Sequence, residues 1–243
     1  MLKKNFPVVL RRPAVVALSI FLTFPAAVGV AAPPAPGDTN ALFTPAYQIN
    51  TPQPPFTLRA VFRRLAKAES GQRPFTETRR FAISKNPVRA GGTLRYSRTG
   101  GLSMAYEGNP GRVLIIDDQG LVERVPGAGG RERSVAVADR PELAALTDVY
   151  LNLLRGNSTK LFTASNAYFS GDRGAGWQLG LVPKDDGIAK RIGRAVVSGR
   201  GRDITRIETI SPNGETRTLD FGALRTNVNF SPEEQKKYFR GES

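Results

Sequence analysis

Residues 56–68 place Leu58, Val61, Phe62 and Leu65 at i, i+3, i+4 and i+7 with arginine and lysine between them, which predicts an amphipathic helix. Past residue 70 the period drops to two. Phe75, Phe81 and Ile83 share one face of a predicted strand, interrupted by Glu77 and Arg79, and Gly92, Leu94, Tyr96 and Arg98 share a face of the next. Leu102, Met104 and Tyr106 continue the pattern; 112–116 is apolar on both faces, and the turn Asp117-Asp118-Gln119-Gly120 leads into 121–125. Glycines and prolines recur roughly every eight to twelve residues, the rhythm of an antiparallel meander. A broad apolar stripe of Leu143, Leu146, Tyr150, Leu153 and Leu154 then predicts a second helix from Pro141 to Gly156, and 158–164 adds a turn carrying Leu161 and Phe162. Strands resume with Trp177, Leu179 and Leu181. A helical piece over 186–192 precedes strand patterns at 195–198, 204–210 and 216–221; the last two are joined by Ser211-Pro212-Asn213-Gly214, whose Asn-Gly is a strong hairpin signal. Leu224, Thr226, Val228 and Phe230 predict a last strand, and Ser231-Pro232-Glu233-Glu234 caps a C-terminal helix.

This order of elements predicts one antiparallel sheet of about ten strands. A sheet that long curls under its own twist. The expected fold is therefore mainly β with helices (α+β): an unclosed antiparallel β-barrel, a half-barrel, covered by a lid of short amphipathic helices. Its concave face needs an apolar cover, and the helices are each too short to form a domain. The 243 residues are 40% hydrophobic, enough for one such core.

Upstream of residue 56 the composition changes twice. Lys3, Lys4, Arg11 and Arg12 precede the apolar run 14–24, a break at Pro25 and small residues ending Val30-Ala31-Ala32, the layout of a secretory signal peptide over residues 1–32. Pro25, Gly29 and the Pro-rich sequence that follows favour cleavage over a membrane anchor. Residues 33–55 read as an extended Pro-rich linker without a core of its own, so the folded domain is expected over 56–239. The formal charge of +14 falls to +10 once the four basic residues of 1–32 are removed, since that stretch holds no acid. An exported basic protein meets anionic membrane surfaces, anionic lipids or acidic proteins rather than nucleic acid. No cysteine follows the signal, so no lipid attachment point is expected, and the layout points to the periplasm.

Histidine and cysteine are both absent, which removes imidazole-activated nucleophiles, thiolate and imidazole metal sites, and disulfides. Gly101-Leu102-Ser103-Met104-Ala105 resembles a nucleophile elbow, but it lies on a strand pattern and no histidine can activate the serine. Asp117-Asp118 and Asp185-Asp186 offer carboxylate pairs, yet each lies close to a glycine, where Asp is an ordinary turn residue. Gly199-Arg200-Gly201-Arg202 is either a cradle for an anionic headgroup or a hairpin tip with solvated charges. No enzymatic activity, cofactor or metal is expected. Arg98 stands apart, because it falls on the face of Leu94 and Tyr96. Either it bonds to carbonyls at a helix end, or the strand stops at residue 97 and the guanidinium is solvated.

Gly92-Thr93-Leu94-Arg95-Tyr96-Ser97-Arg98 resembles the Gly-x-Leu strand that runs into an Arg-Pro corner in the LolA family, the periplasmic carriers of outer-membrane lipoproteins. The apolar strand 102–106, the strand and turn 113–120, the helical segments at 151–154 and 161–162, and Trp177-Gln178-Leu179-Gly180-Leu181-Val182-Pro183 are similar to the family in the same order, so that the resemblance spans 56–230. It implies a half-barrel whose helical lid covers a hydrophobic cavity for acyl chains, with Arg98 as the arginine that latches the lid and Leu102 at the apolar rim. The lining expected on the sheet is Leu94, Tyr96, Leu102, Met104, Trp177, Leu179 and Leu181, with Leu146, Tyr150 and Leu153 facing it from the helix. Thr99 stands where the family has proline, and Leu121-Val122 replace its aromatic residue after the Asp-Gly turn. By resemblance, the cargo is the acyl chains of outer-membrane lipoproteins or a related lipid. The partners are an inner-membrane Lol-type ABC transporter and an outer-membrane LolB-like receptor, and a monomer suffices. A lipid-sensing regulator or adaptor of the cell envelope built on the same fold is the alternative.

Overall fold

The structure is a computed structural model that describes residues 39–50, 55–108, 111–125, 131–136, 149–172 and 174–240. Its strands are β1 (Ser70–Arg80), β2 (Val88–Ser97), β3 (Gly101–Tyr106), β4 (Arg112–Asp117), β5 (Gly120–Val125), β6 (Arg131–Ala136), β7 (Ser165–Asp172), β8 (Gly176–Pro183), β9 (Arg194–Arg200), β10 (Asp203–Ile210), β11 (Thr216–Phe221) and β12 (Arg225–Thr226). The helices are α1 (Thr39–Leu42), α2 (Phe56–Ala66), α3 (helical residues 149–154), α4 (Ser158–Ala164), α5 (Asp186–Ile192) and α6 (Pro232–Tyr238).

Eleven strands pair antiparallel in the order β6-β5-β4-β3-β2-β1-β11-β10-β9-β8-β7, and β12 adds to β1. The early and late halves of the chain meet where β1 lies against β11, Phe75 opposite Phe221 and Arg80 opposite Thr216. Among the described residues β6 and β7 end the sheet without pairing with each other. The half-barrel expected from the strand rhythm is the fold observed.

Strand alternation decides what the two faces carry. Leu94 and Tyr96 on β2, Leu102, Met104 and Tyr106 on β3, and Trp177, Leu179 and Leu181 on β8 point to one inner face and are all buried there. α2 lays Leu58, Val61, Phe62 and Leu65 onto that face, and α3 and α4 add Tyr150, Leu151, Leu153 and Leu161. Gly92 is required by this packing: a Cβ there would stand 2.3 Å from the Ala105 carbonyl oxygen and 2.8 Å from the Phe75 ring. That ring uses the space to meet Tyr106 edge-on, at 5.2 Å between centroids. The outer face has covers of its own. Val113, Ile115 and Val122 lie under Tyr238 of α6, and Arg95 stacks 3.7 Å from the centre of the same ring. Arg124 donates to the carbonyls of Lys236 in α6 and of Phe239, which follows it, at 2.9 and 3.1 Å.

Four local expectations change. β1 stops at Arg80, so Phe81 and Ile83 lie beyond the strand, both exposed in the β1–β2 turn. The strand expected over 224–230 reduces to Arg225–Thr226, because its neighbour β1 pairs with it only at Gly71 and Gln72. β6 and β7 were not anticipated. Part of the Pro-rich stretch is docked rather than free: Leu42 is fully buried, Phe43 meets Tyr168 edge-on at 5.3 Å, and the Ile49 amide donates to Ala167 O at 2.8 Å. The Asn213-Gly214 hairpin and the Ser231/Glu234 capping box form as read.

Candidate functional site

Two apolar cavities lie between the helices and the inner face. The larger, about 100 Å³, sits under α3, α4 and α5 against Leu181, Ala195, Val197 and Ile207. The smaller, about 50 Å³, lies toward the end of α2, bounded by Leu65, Leu94, Tyr96, Ile204 and Phe221. Tyr150, Leu153 and Ile207 border both. Tyr150 and Leu153 of α3 therefore stand between the two cavities and divide the trough.

Among the expected lining residues, Leu94, Tyr96, Tyr150, Leu153 and Leu181 border these cavities. Leu102, Met104, Trp177 and Leu179 are buried in the same cluster without touching either cavity. Leu146 lies outside the described residues. Sequence reasoning missed Ala195 and Val197, although their alternation on β9 was visible, and Ile204 and Ile207, which are three apart and share a face only because the register of β10 shifts between Ile204 and Arg206. It also missed Ile188 and Ile192 of α5, which close the larger cavity.

Arg98 follows directly after β2 and combines both of the alternatives left open by the sequence. The strand does stop at Ser97, and the side chain is about one-third exposed. Even so, its Nη2 donates to the carbonyls of Ala66 at 2.5 Å and Ala68 at 3.0 Å, and its Nε to the Glu69 carboxylate at 2.9 Å. Ala66 is the last residue of α2, so the cation sits where the helix leaves carbonyls without intrahelical partners. The helix that Arg98 holds is α2.

α3 is held by two other contacts. Its C-terminus is a Schellman turn, in which the Gly156 amide donates to Leu153 O and the Asn157 amide to Asn152 O. Gly156 has φ +68°, and a Cβ there would stand 2.3 Å from the Phe62 carbonyl oxygen; only glycine lets α2 and α3 come this close. Arg155 makes two parallel 2.8 Å hydrogen bonds to the carboxylate of Asp118 in the β4–β5 turn. These bonds hold Asp118 below the usual carboxylate range and raise Arg155 above its own. Asp117 beside it accepts from the Gln119 and Gly120 amides and from Arg240. The two aspartates have separate structural partners and form no catalytic dyad.

A polar cluster interrupts the apolar floor. Glu77 is 1% exposed. It accepts from Arg79 and Arg217 at 2.5 Å each and from the Tyr106 hydroxyl at 2.6 Å. Burial alone would raise its pKa, but the hydrogen bond from Arg79, the charge of Arg217 and the Tyr106 hydroxyl outweigh it and hold it below the ordinary value. Burial pushes the Tyr150 and Tyr106 hydroxyls up.

The other motifs have structural roles. Ser103 is fully buried in the middle of β3. Asp185 caps α5 by accepting from the Ile188 amide at 2.9 Å. Gly199 leaves room for the Trp177 ring, whose Nε1 donates to Gly201 O. Arg202 joins Arg63, Arg64 and Lys67 around an open basic cleft beside α2. Among the described residues, no group of three or more acidic side chains is placed to hold a metal, and no helix is long and apolar enough to cross a membrane.

No protein of curated function matches the chain in sequence. Solved structures with a similar course include a DUF1329 family protein from Desulfovibrio piger, with 10% identity, 72% of this chain and 92% of the other covered, and a TM-score of 0.40. A LolA superfamily protein from Nitrosomonas europaea gives 10% identity, coverage of 74% and 97%, and a TM-score of 0.39. A Pseudomonas aeruginosa MucA/MucB complex gives 17% identity, coverage of 72% and 59%, and a TM-score of 0.33. A family model described as "Outer membrane lipoprotein carrier protein LolA-like" matches residues 54–238, from just before α2 to the end of α6. By this match over most of its length, the chain belongs to the LolA-like outer membrane lipoprotein carrier family.

Proposed function

We propose that this protein is an exported carrier that shields acyl chains of outer-membrane lipoproteins, or of a related lipid, while they cross the periplasm from the inner to the outer membrane. A Lol-type ABC transporter would load it and a LolB-like receptor unload it. The observation that carries this reading is the divided trough, an apolar inner face on which Tyr150 and Leu153 occupy the space between two cavities. In cavity volume open to a water's centre, one water takes about 10–15 Å³, so a sixteen-carbon chain at about one water per methylene needs on the order of 160–240 Å³. Neither cavity, of about 100 or 50 Å³, holds that much. Loading therefore requires α3 to leave its place, and each methylene that then enters the trough contributes about 0.8 kcal/mol.

A carrier must also let go. The helix contacts at Arg98 and Arg155 are polar and partly exposed, so they favour the closed, empty state only modestly and allow it to compete with cargo. The test is loading of the mature chain with a triacylated lipopeptide, followed by its release to acceptor. Arg98→Leu removes the Ala66, Ala68 and Glu69 hydrogen bonds. The variant should load at least as well as wild type and release several-fold more slowly. Equal loading and equal release would remove Arg98 from the mechanism, and no loading of wild type would remove the carrier function.

A further inference from the structure

The four large hydrophobic side chains exposed among the described residues are unevenly placed. Phe81 (38%), Ile83 (100%) and Val88 (56%) all belong to the β1–β2 hairpin tip, and only Phe56 lies elsewhere. The tip projects. β2 pairs with β3 only from Gly92 onward, and the Glu107 amide just after β3 adds a bond to Gly91 O, which leaves Val88 to Ala90 beyond the neighbouring chain, about 10 Å at 3.3 Å per residue. On the other side, pairing of β1 with β11 ends at Arg80 and Thr216. Residues 80–89 are all exposed.

The charges that the hairpin itself carries have one sign. Arg80, Lys85 and Arg89 surround Phe81, Ile83 and Val88, and no acidic residue occurs between Glu77 and Glu107. Two acids approach from neighbouring elements: Glu215 precedes Thr216, the register partner of Arg80, and the Glu107 carboxylate lies beside Gly91 at the base of the tip. A projecting apolar tip with a basic collar matches a surface that is apolar inside and anionic outside. An apolar pocket on a protein would need the wedge but not the surrounding cations.

We propose that the β1–β2 hairpin tip docks the protein onto anionic membranes, seating Ile83 with Phe81 and Val88 below the headgroups while Arg80, Lys85 and Arg89 face the phosphates. The tip is at the same end of the sheet as the larger cavity. Arg80 pairs with Thr216, Thr216 with Ile210, and Ile210 with Arg194, next to the Ala195 and Thr209 of the cavity wall. Docking by the tip thus brings that end of the trough toward the bilayer. The docking itself needs no cargo and stands whether or not the trough carries an acyl chain.

The chain has no cysteine, so a single label reports cleanly. Ile83→Cys, carrying an environment-sensitive dye, is mixed with vesicles of phosphatidylcholine alone or of phosphatidylcholine with phosphatidylglycerol. A second label at exposed Thr205→Cys is the control. The Ile83 label should brighten and shift to the blue only with anionic vesicles and lose the signal at high salt, while the Thr205 label stays unchanged. Lys85→Glu should weaken vesicle binding at least about fivefold, and Ile83→Asp should abolish the membrane-bound fraction in co-sedimentation. Both substitutions fall on exposed positions, and circular dichroism should be unchanged. No shift at Ile83 with anionic vesicles overturns the proposal, as does equal binding to neutral ones. Binding that Lys85→Glu and Ile83→Asp leave intact overturns it too, and would point to the basic cleft of Arg63, Arg64, Lys67 and Arg202. A shift only on adding a protein partner also overturns it.

Discussion

Replacing Leu153 with alanine asks whether α3 plugs the trough or forms its wall. Leu153 is 2% exposed and borders both cavities. Truncation at such a position costs about 3 kcal/mol, from lost transfer energy and the void left behind, and urea unfolding should report a loss of that size. If cargo takes the place of the α3 side chains, Leu153 is buried in the closed state alone. The truncation then weakens only the closed state, and the equilibrium moves toward the open state by up to about a hundredfold. A less stable protein should therefore bind a fluorescent fatty acyl probe more tightly. The assay is a probe titration of wild type and Leu153→Ala at one temperature, paired with the unfolding curves. Affinity that falls in step with stability would place Leu153 against the acyl chain and refute α3 as the displaced element.

Three further outcomes follow from the contacts around the trough. Gly156→Ala forces a side chain onto a φ of +68° and into the backbone of α2 at Phe62 O and Ala66 N; it should cost more than about 1 kcal/mol in urea unfolding and raise probe binding if the α2–α3 junction restrains opening. Glu77→Gln leaves Arg79 and Arg217 facing a neutral amide and should cost about 3–5 kcal/mol. Because the pKa of Glu77 is lowered on folding, its stabilisation is present above the unfolded carboxylate value and is lost as pH falls through the folded one; urea midpoints of wild type should drop over that acid range and those of the variant should drop less. Asp118→Asn breaks the pair with Arg155, and since Asp118 is 73% exposed it should cost less than about 1 kcal/mol while speeding probe uptake in stopped flow.

The main β architecture was legible because its inner positions alternate on strands punctuated by turns. Leu94 and Tyr96, Leu102 to Tyr106, and Trp177 to Leu181 each carry a clear period of two, and all are buried as that period requires. The docked segment around Leu42 was not legible. Its burial depends on Gly180, a glycine nearly 140 positions later in the sequence whose missing side chain makes room for Phe43 and Leu42. The failed strand extension past Arg80 has a similar cause. Phe81 and Ile83 keep the apolar period, but β11 ends opposite Arg80 and offers no further pairing. Arg98 was singled out by its place on an apolar face, whereas its partners at the end of α2 and just past it lie about thirty residues away. Arg155 and Asp118 gave no local sign, because each is an ordinary surface residue until the β4–β5 turn and the end of α3 come together.

Mass spectrometry of what co-purifies with the protein, exported through its own envelope, tests acyl-chain carriage most directly. An acylated molecule bound in about one-to-one ratio is the expected result, with the same molecule displaced by the fluorescent probe and enriched in Leu153→Ala. Nothing apolar bound, together with no probe uptake by wild type or by that variant, would contradict a trough that opens for acyl chains.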